Sequence, residues 1–307
     1  MKTHRKIALR RIILIAHFSF FIFHSSFAQQ DPLYASYLQN PLTINPAYAG
    51  SNNMLNASLQ FRTQWAGLEA NPTTLNFSSH MSVYHNKVGV GLMVIQDKLG
   101  DNKNTEFQGI ASYKIQVNRS WLSFGWQMGF IRYETDPSML TIKDPGDPAF
   151  AELTETKFNT GVGVLMKGDN YMVGISAPRL LPATVSQGGQ SIELYKQTYY
   201  LFGSYAWLIA ENIRFKPSVL TRYTSGSPLS YDLNASFVFQ DKYTGGAFTR
   251  NFNTYGLLAQ AIVNKFRIGY MLELPVGASN LNFTTHEITV GLAMDVLSFH
   301  DRGLKIY

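Results

Sequence analysis

The sequence predicts an all-β transmembrane antiparallel barrel of about fourteen strands, preceded by a Pro/Asn-rich periplasmic segment. Three observations point there. Apolar and small or polar residues alternate with period two along most of the chain, the pattern of strands with unlike faces. The connections between these stretches alternate between tiny and long. An exported chain with no cysteine cannot rest on disulfides, so a large core or a membrane must stabilise it.

Export is read from residues 1–28. Lys2, Arg5, Lys6, Arg10 and Arg11 form a basic start, Ile12 to Phe23 an apolar run, and Ser26-Phe27-Ala28 a cleavage site of small residues before Gln29. This division gives a signal peptide at 1–28, a plug-like periplasmic segment at 29–54 and a barrel at 55–307. The formal charge of +6 shrinks with it: removing five basic groups from 26 leaves 21 against 20 acids, or +1. No basic footprint for nucleic acid remains. No later apolar run reaches the ~18 residues of a transmembrane helix, so any membrane crossing is made by strands.

Residues 29–51, QQDPLYASYLQNPLTINPAYAGS, carry Asp31-Pro32, Asn40-Pro41 and Asn45-Pro46 among tyrosines and leucines. A residue before proline is pushed out of the α region, and each proline lacks a donor, so neither a long helix nor a central strand is expected. Proline lowers the ordering cost while aromatic side chains supply anchors. Tyr34, Tyr37, Asn40, Pro41, Asn45, Pro46, Tyr48 and Gly50 are therefore candidates for plugging the lumen, packing on the rim or docking a partner.

The strands follow in order at about 55–65, 72–84, 88–97, 106–117, 121–133, 155–167, 171–177, 198–208, 213–223, 231–240, 243–250, 256–263, 266–273 and 285–297. Leu122-Ser-Phe124-Gly-Trp126-Gln-Met128-Gly-Phe130 is the clearest, with five large apolar groups on one face and small or polar ones on the other. Ile288, Val290, Leu292 and Met294 repeat the pattern near the end. Most stretches have the ~9–11 residues a tilted strand needs to cross a bilayer. The connections at 84–87, 118–120, 168–170, 209–212, 241–242 and 264–265 are short, whereas 134–154 and 178–197 are long and 98–105, 224–230 and 274–284 intermediate. Short turns on one rim and long loops on the other characterise an outer-membrane barrel with periplasmic short turns.

The apolar face is then lipid-facing and the other lines a polar lumen, with Arg62, His80, Arg222, Arg267 and Glu287 among its candidates. Trp65, Tyr84, Trp121, Tyr133, Trp207, Tyr223 and Phe299 stand at segment ends, where aromatic girdles form. Pro217, inside the ninth segment, removes a ladder donor and marks a bulge or a shortened strand.

Catalytic patterns are missing. His286-Glu287 would open a zinc-binding HExxH helix, but position 290 is Val. Gly89-Val-Gly91 and Gly161-Val-Gly163 lack the third glycine of a dinucleotide loop and, in alternating strands, make room in the lumen. Asp144-Pro-Gly-Asp147-Pro reads as loop punctuation. No enzyme activity, cofactor or metal is expected.

An ordered set of motifs resembles the PorP/SprF family of the Bacteroidota type IX secretion and gliding machinery. It begins with Gln30-Asp31-Pro32-x-Tyr34 and Asn40-Pro41-Leu42-x-Ile44-Asn45-Pro46-Ala47-Tyr48-Ala49-Gly50. It continues through Phe61-Arg62-x-Gln64-Trp65-x-Gly67, His80, Gly89-x-Gly91, Leu122-Ser123-Phe124-Gly125, Asn159-x-Gly161-x-Gly163, Gly174-x-Ser176-x-Pro178, Lys216-Pro217-Ser218, Gly269-Tyr270 and His286-Glu287. One departure is Tyr270-Met-Leu-Glu273, where many relatives carry a Ser and an Asp. The resemblance implies a non-enzymatic protein of the bacterial outer membrane that supports gliding motility, protein secretion or cell-surface anchoring of large adhesins. Implied partners are type IX secretion components, secreted adhesin cargo with a C-terminal sorting domain, periplasmic peptidoglycan-linked proteins and outer-membrane lipid. The long loops 134–154 and 178–197, with Gly146 and Gly188 near their tips, are the expected cargo contacts, since loops on a rigid scaffold carry recognition. A passive porin or solute channel is the alternative.

Overall fold

A computed structural model describes residues 35–137, 152–187, 190–276 and 283–300. The alternating stretches become β1 (Leu55–Thr63), β2 (Thr73–Val83), β3 (Val88–Leu99), β4 (Asn102–Val117), β5 (Ser120–Thr135), β6 (Leu153–Lys167) and β7 (Tyr171–Arg179). A small hairpin follows, β8 (Ala183–Gln187) and β9 (Gln190–Tyr195). Then come β10 (Thr198–Tyr205), β11 (Trp207–Ala210), β12 (Ile213–Thr224), β13 (Ser230–Phe239), β14 (Tyr243–Arg250), β15 (Thr254–Val263), β16 (Phe266–Pro275) and β17 (Thr285–Met294).

Every wall strand pairs antiparallel with its neighbour, β1 pairs β17, and β10 joins β7 to β12, so the sheet closes on itself. β11 continues β10 past Ala206, and β8–β9 is a separate sheet, so fourteen strands form the ring. Closure leaves no row of unpaired backbone groups facing lipid, which no open sheet achieves in hydrocarbon. The outer face is greasy: Phe61, Leu92, Phe107, Phe124, Trp126 and Ile268 are each 46–53% exposed. Such a contiguous apolar surface fits acyl chains and no soluble monomer.

The register explains Pro217. Ser204 pairs Ser218 and Trp207 pairs Phe215 on the same diagonal, but the ladder skips the residues between. The missing donor of Pro217 lies in this gap, and Ala206 turns its N–H to Asn170 O at 2.7 Å. β12 itself runs on unbroken, the facing chain parts into β10 and β11 at Ala206, and the ladder's register shift comes only further on, between Leu208 and Ala210.

Three expectations need correction. The segment 98–105 is mostly strand, because β3 and β4 run on to a tight turn at Gly100 (φ +57°). Its polar residues suggest a loop, yet above the membrane a strand needs no apolar face; there Glu134 meets Arg132 at 2.8 Å and Lys103 at 3.5 Å. Tyr133 faces inward, 5% exposed, with its hydroxyl donating to Asn102 Oδ1, so it belongs to no girdle. The lumen is also less polar than the alternation implies, as the site below requires.

Orientation is testable. Cysteine introduced for Asn253, in the β14–β15 loop, is expected to react with a membrane-impermeant maleimide on intact cells. Cysteine for Asp169, in a short turn, is expected to react only after lysis, and the opposite pattern would invert the assignment.

Candidate functional site

Residues 35–53 lie inside the barrel. They form three single-turn 3-10 helices, Ala35–Leu38, Pro41–Thr43 and Pro46–Tyr48, the last two with proline at the first helical position. Proline tolerates that position because its absent N–H would be an orphan anyway. Asn40 and Asn45, each preceding a proline, lie outside the helical region with φ of −135° and −145°. The Asn-Pro pairs thus reset the chain twice, and no helix exceeds one turn.

Polar groups from six strands hold this plug. On β17 the Glu287 carboxylate accepts the N–H groups of Ala35 at 3.1 Å and Ser36 at 2.9 Å, satisfying the first orphan donors of the segment. Asn40 Nδ2 donates to Ser78 Oγ on β2 at 2.8 Å, and Gly50 N donates to His80 Nδ1 at 3.0 Å. Asn45 accepts Ala47 N at its Oδ1 and donates Nδ2 to Val164 O at 3.1 Å and Ile175 O at 3.4 Å, clamping β6 and β7. Ser112 and Ser176 donate to Ala49 O and Ile44 O. Lys114 Nζ reaches Gly50 O and Asn53 Oδ1, and Lys167 Nζ reaches Asn52 Oδ1 at 2.9 Å. Arg267 Nη1 donates to Gln39 O at 3.3 Å.

Apolar seats complete the fit. Tyr37, Ile44 and Ala47 pack on Leu165, Met172, Tyr200, Phe202 and Leu220 of the inner wall, and Tyr37 meets Phe202 edge-on at 6.0 Å. Leu42 and Ala49 pack on Met93, Ile95 and Ile110, and Ala35 on Phe248, Leu258 and Met271. These inward-facing apolar residues are why the lumen departs from a polar lining. Burial first, and the Asp232 carboxylate next, hold the Tyr37 hydroxyl well above its ordinary pKa, so the phenol stays neutral.

Inner-face glycines let the plug touch the wall backbone. A Cβ on Gly89 would overlap the carbonyl of Ala49, and one on Gly125 the backbone of Pro46 and Ala47. Gly163 and Gly269 lie as closely under the side chains of Asn45 and Gln39. Gly50 takes a positive φ of 66°, turning the chain toward β1.

Of the sequence candidates, Tyr37, Asn40, Pro41, Asn45, Pro46, Tyr48 and Gly50 all lie in this plug, and Tyr34 falls outside the described residues. Arg62, His80, Arg222, Arg267 and Glu287 all line the lumen. Above the plug, charges alternate across the wall: Glu287 to Arg62 at 2.8 Å, Arg62 to Glu273 at 3.0 Å, Glu273 to Arg250 at 3.4 Å, and Arg250 to Asp232 at 3.0 Å. Glu273, the departure from the family pattern, here holds two arginines. Sequence reasoning missed Lys114, Lys167 and the apolar wall; a Gly on the inward register, as at Gly125 and Gly269, was the one available signal of a second backbone lying against the sheet.

On the long-loop rim, β8 and β9 fold over the mouth. Ala183 and Tyr195 pack on Ile131, and the Arg179 guanidinium lies 4.5 Å from the Tyr195 ring centre while pairing with Glu106. The expected cargo loop 178–197 thus turns apolar groups onto its own barrel. Gly146 and Gly188 fall outside the described residues, as does most of the loop 134–154.

A family model described as type IX secretion system membrane protein PorP/SprF matches residues 26–292. Among solved structures, the TodX deltaS2S3 mutant monoaromatic hydrocarbon channel shares 10% identity at a TM-score of 0.51, covering 83% of this chain and 94% of its own. The CymD monoaromatic hydrocarbon channel shares 12% at 0.49, covering 89% and 96%. The outer membrane protein Omp33 of Acinetobacter baumannii shares 8% at 0.47, covering 79% and 100%. Identities this low speak to the fold alone. No curated protein matches the chain in sequence.

Proposed function

From the premise that this chain belongs to the PorP/SprF family of type IX secretion system membrane proteins, we propose that it is a non-enzymatic station of that machinery in the outer membrane. It retains or hands on large adhesin-type cargo bearing a C-terminal sorting domain through protein–protein contacts. Other secretion components and peptidoglycan-linked periplasmic proteins are its further partners. The observation that carries the reading is the plug: residues 35–53 fill the middle of the lumen and are bonded to six strands. A solute channel gains nothing from a lumen occupied so thoroughly, whereas a rigid plugged barrel is a scaffold whose two rims present fixed surfaces.

Affinity purification from detergent-solubilised outer membrane tests this. Cargo with a sorting domain is expected to co-purify, and loss of the protein is expected to strip that cargo from the cell surface. Steady conductance in planar bilayers with no cargo recovered would favour the passive channel instead.

A further inference from the structure

The half of the lumen below the plug is open. A cavity of about 840 Å³ extends from Leu38, Gln39 and Tyr48 of the plug to the short-turn rim. Its volume lies in the range of pockets that enclose ligands. Its charge is one-sided. Lys167, Lys216, Lys242, Lys265 and Arg267 line it, against only Asp241 and Asp295. Asp241 is already matched by Arg214 at 2.5 Å. Among the described residues, none of the five cations has a carboxylate within ion-pair distance. Lys167 and Arg267 spend hydrogen bonds on plug carbonyls, and Lys216 has no hydrogen-bond partner among the described residues. The half above the plug differs, since Arg62, Arg250 and Arg179 each meet a carboxylate there.

Gln39 also borders the cavity, with its amide turned against Gly269 of β16. The remaining lining is rich in hydrogen-bonding groups, among them Ser58, Ser78, Ser218, Asn234, Ser236 and Thr289.

We propose that this cavity is a docking site for an acidic, extended polypeptide segment of a partner, entering from the short-turn rim. The depth of the charges selects a chain over a compact anion. Lys242 and Lys265 stand in the turns, Arg267 lies about 7 Å further in along β16, and Lys216 about 10 Å in along β12, at the rise of an extended strand. A single phosphate reaches one level, whereas a strand with alternate carboxylates meets all of them. Its backbone and amides pair with the serine and asparagine lining. The cations at the entrance steer it in, which makes association salt-sensitive.

The proposal deepens the secretion reading by giving the partner's chemistry, and its test needs no secretion. Purified full-length barrel in detergent is titrated with a labelled peptide of alternating Glu and Ser, and with the same peptide carrying Gln for Glu. Binding of the Glu peptide that weakens with salt is expected, with about tenfold loss on combining Lys216→Gln, Lys242→Gln and Lys265→Gln. The combination Lys103→Gln with Lys157→Gln, on the other half, is expected to leave binding unchanged. Heat-modifiable migration in gels verifies that each variant is folded. Equal binding of both peptides, indifference to the triple substitution, or full displacement by inorganic phosphate at matched concentration would each overturn the proposal. Peptide binding with normal recognition but no cargo phenotype in cells would count against the secretion reading alone.

Discussion

Valine in place of Gly125 is expected to lift residues 45–49 off the wall while the barrel stays inserted. Gly125 faces the lumen between Phe124 and Trp126, which face lipid, so the change leaves the outer surface alone. Any Cβ there meets the backbone of Pro46 and Ala47, which cannot swing aside like a flexible side chain. Overpacking of this kind costs about 1–3 kcal/mol. The plug can escape that cost only by moving away from β5, which breaks the Asn45 clamp onto Val164 O and Ile175 O. The wild-type barrel is expected to conduct weakly in planar bilayers and the variant to show large, fluctuating openings. Valine at Gly245, where an added Cβ meets nothing within 4 Å, is the control and is expected to behave as wild type. Unchanged conductance from a folded Gly125→Val barrel would show that the plug does not depend on this seat.

Arg62→Leu is expected to be the most destabilising single change. The Arg62 side chain is 4% exposed and bridges Glu287 and Glu273, themselves 1% and 5% exposed. Without the guanidinium, two carboxylates face each other across β16 and β17 with too few donors. Breaking a buried pair by removing one partner costs about 3–5 kcal/mol, because a buried charge is left uncompensated. The damage spreads to the plug, since Glu287 also anchors Ala35 and Ser36. Urea unfolding of the barrel in micelles, followed by tryptophan fluorescence, measures it. Adding Glu287→Gln to Arg62→Leu is expected to recover part of the loss by removing one of the stranded charges. A cost below about 1 kcal/mol, typical of solvated pairs, would mean that water screens this chain of charges.

These two residues mark what could be read in the chain. Leu122 to Phe130 announces a strand with one greasy side from its alternation alone, and the tight connection at Asn118-Arg119 announces a hairpin. Arg62 and Glu287 are placed inward by the same alternation. Their pairing is not readable, because it depends on β1 meeting β17, which are more than 220 residues apart along the chain. The polar stretch at 98–105 misleads because a strand above the membrane no longer needs an apolar face. Tyr133 misleads because an aromatic at a strand end looks the same whether its side chain points to lipid or to the lumen.

The sequence by itself determined the barrel, its fourteen strands, the alternation of short and long connections and most of the residues that face inward. Those features follow from a local rule, the alternation of side chains along an extended backbone. Only the tertiary structure decided that the Asn-Pro segment enters the lumen, that glycines on separate strands form one seat for it, and that the five cations below it share a cavity with only two carboxylates. Each of these depends on closure of the ring, which brings distant strands around a common axis, and no local pattern encodes which inward side chains then meet.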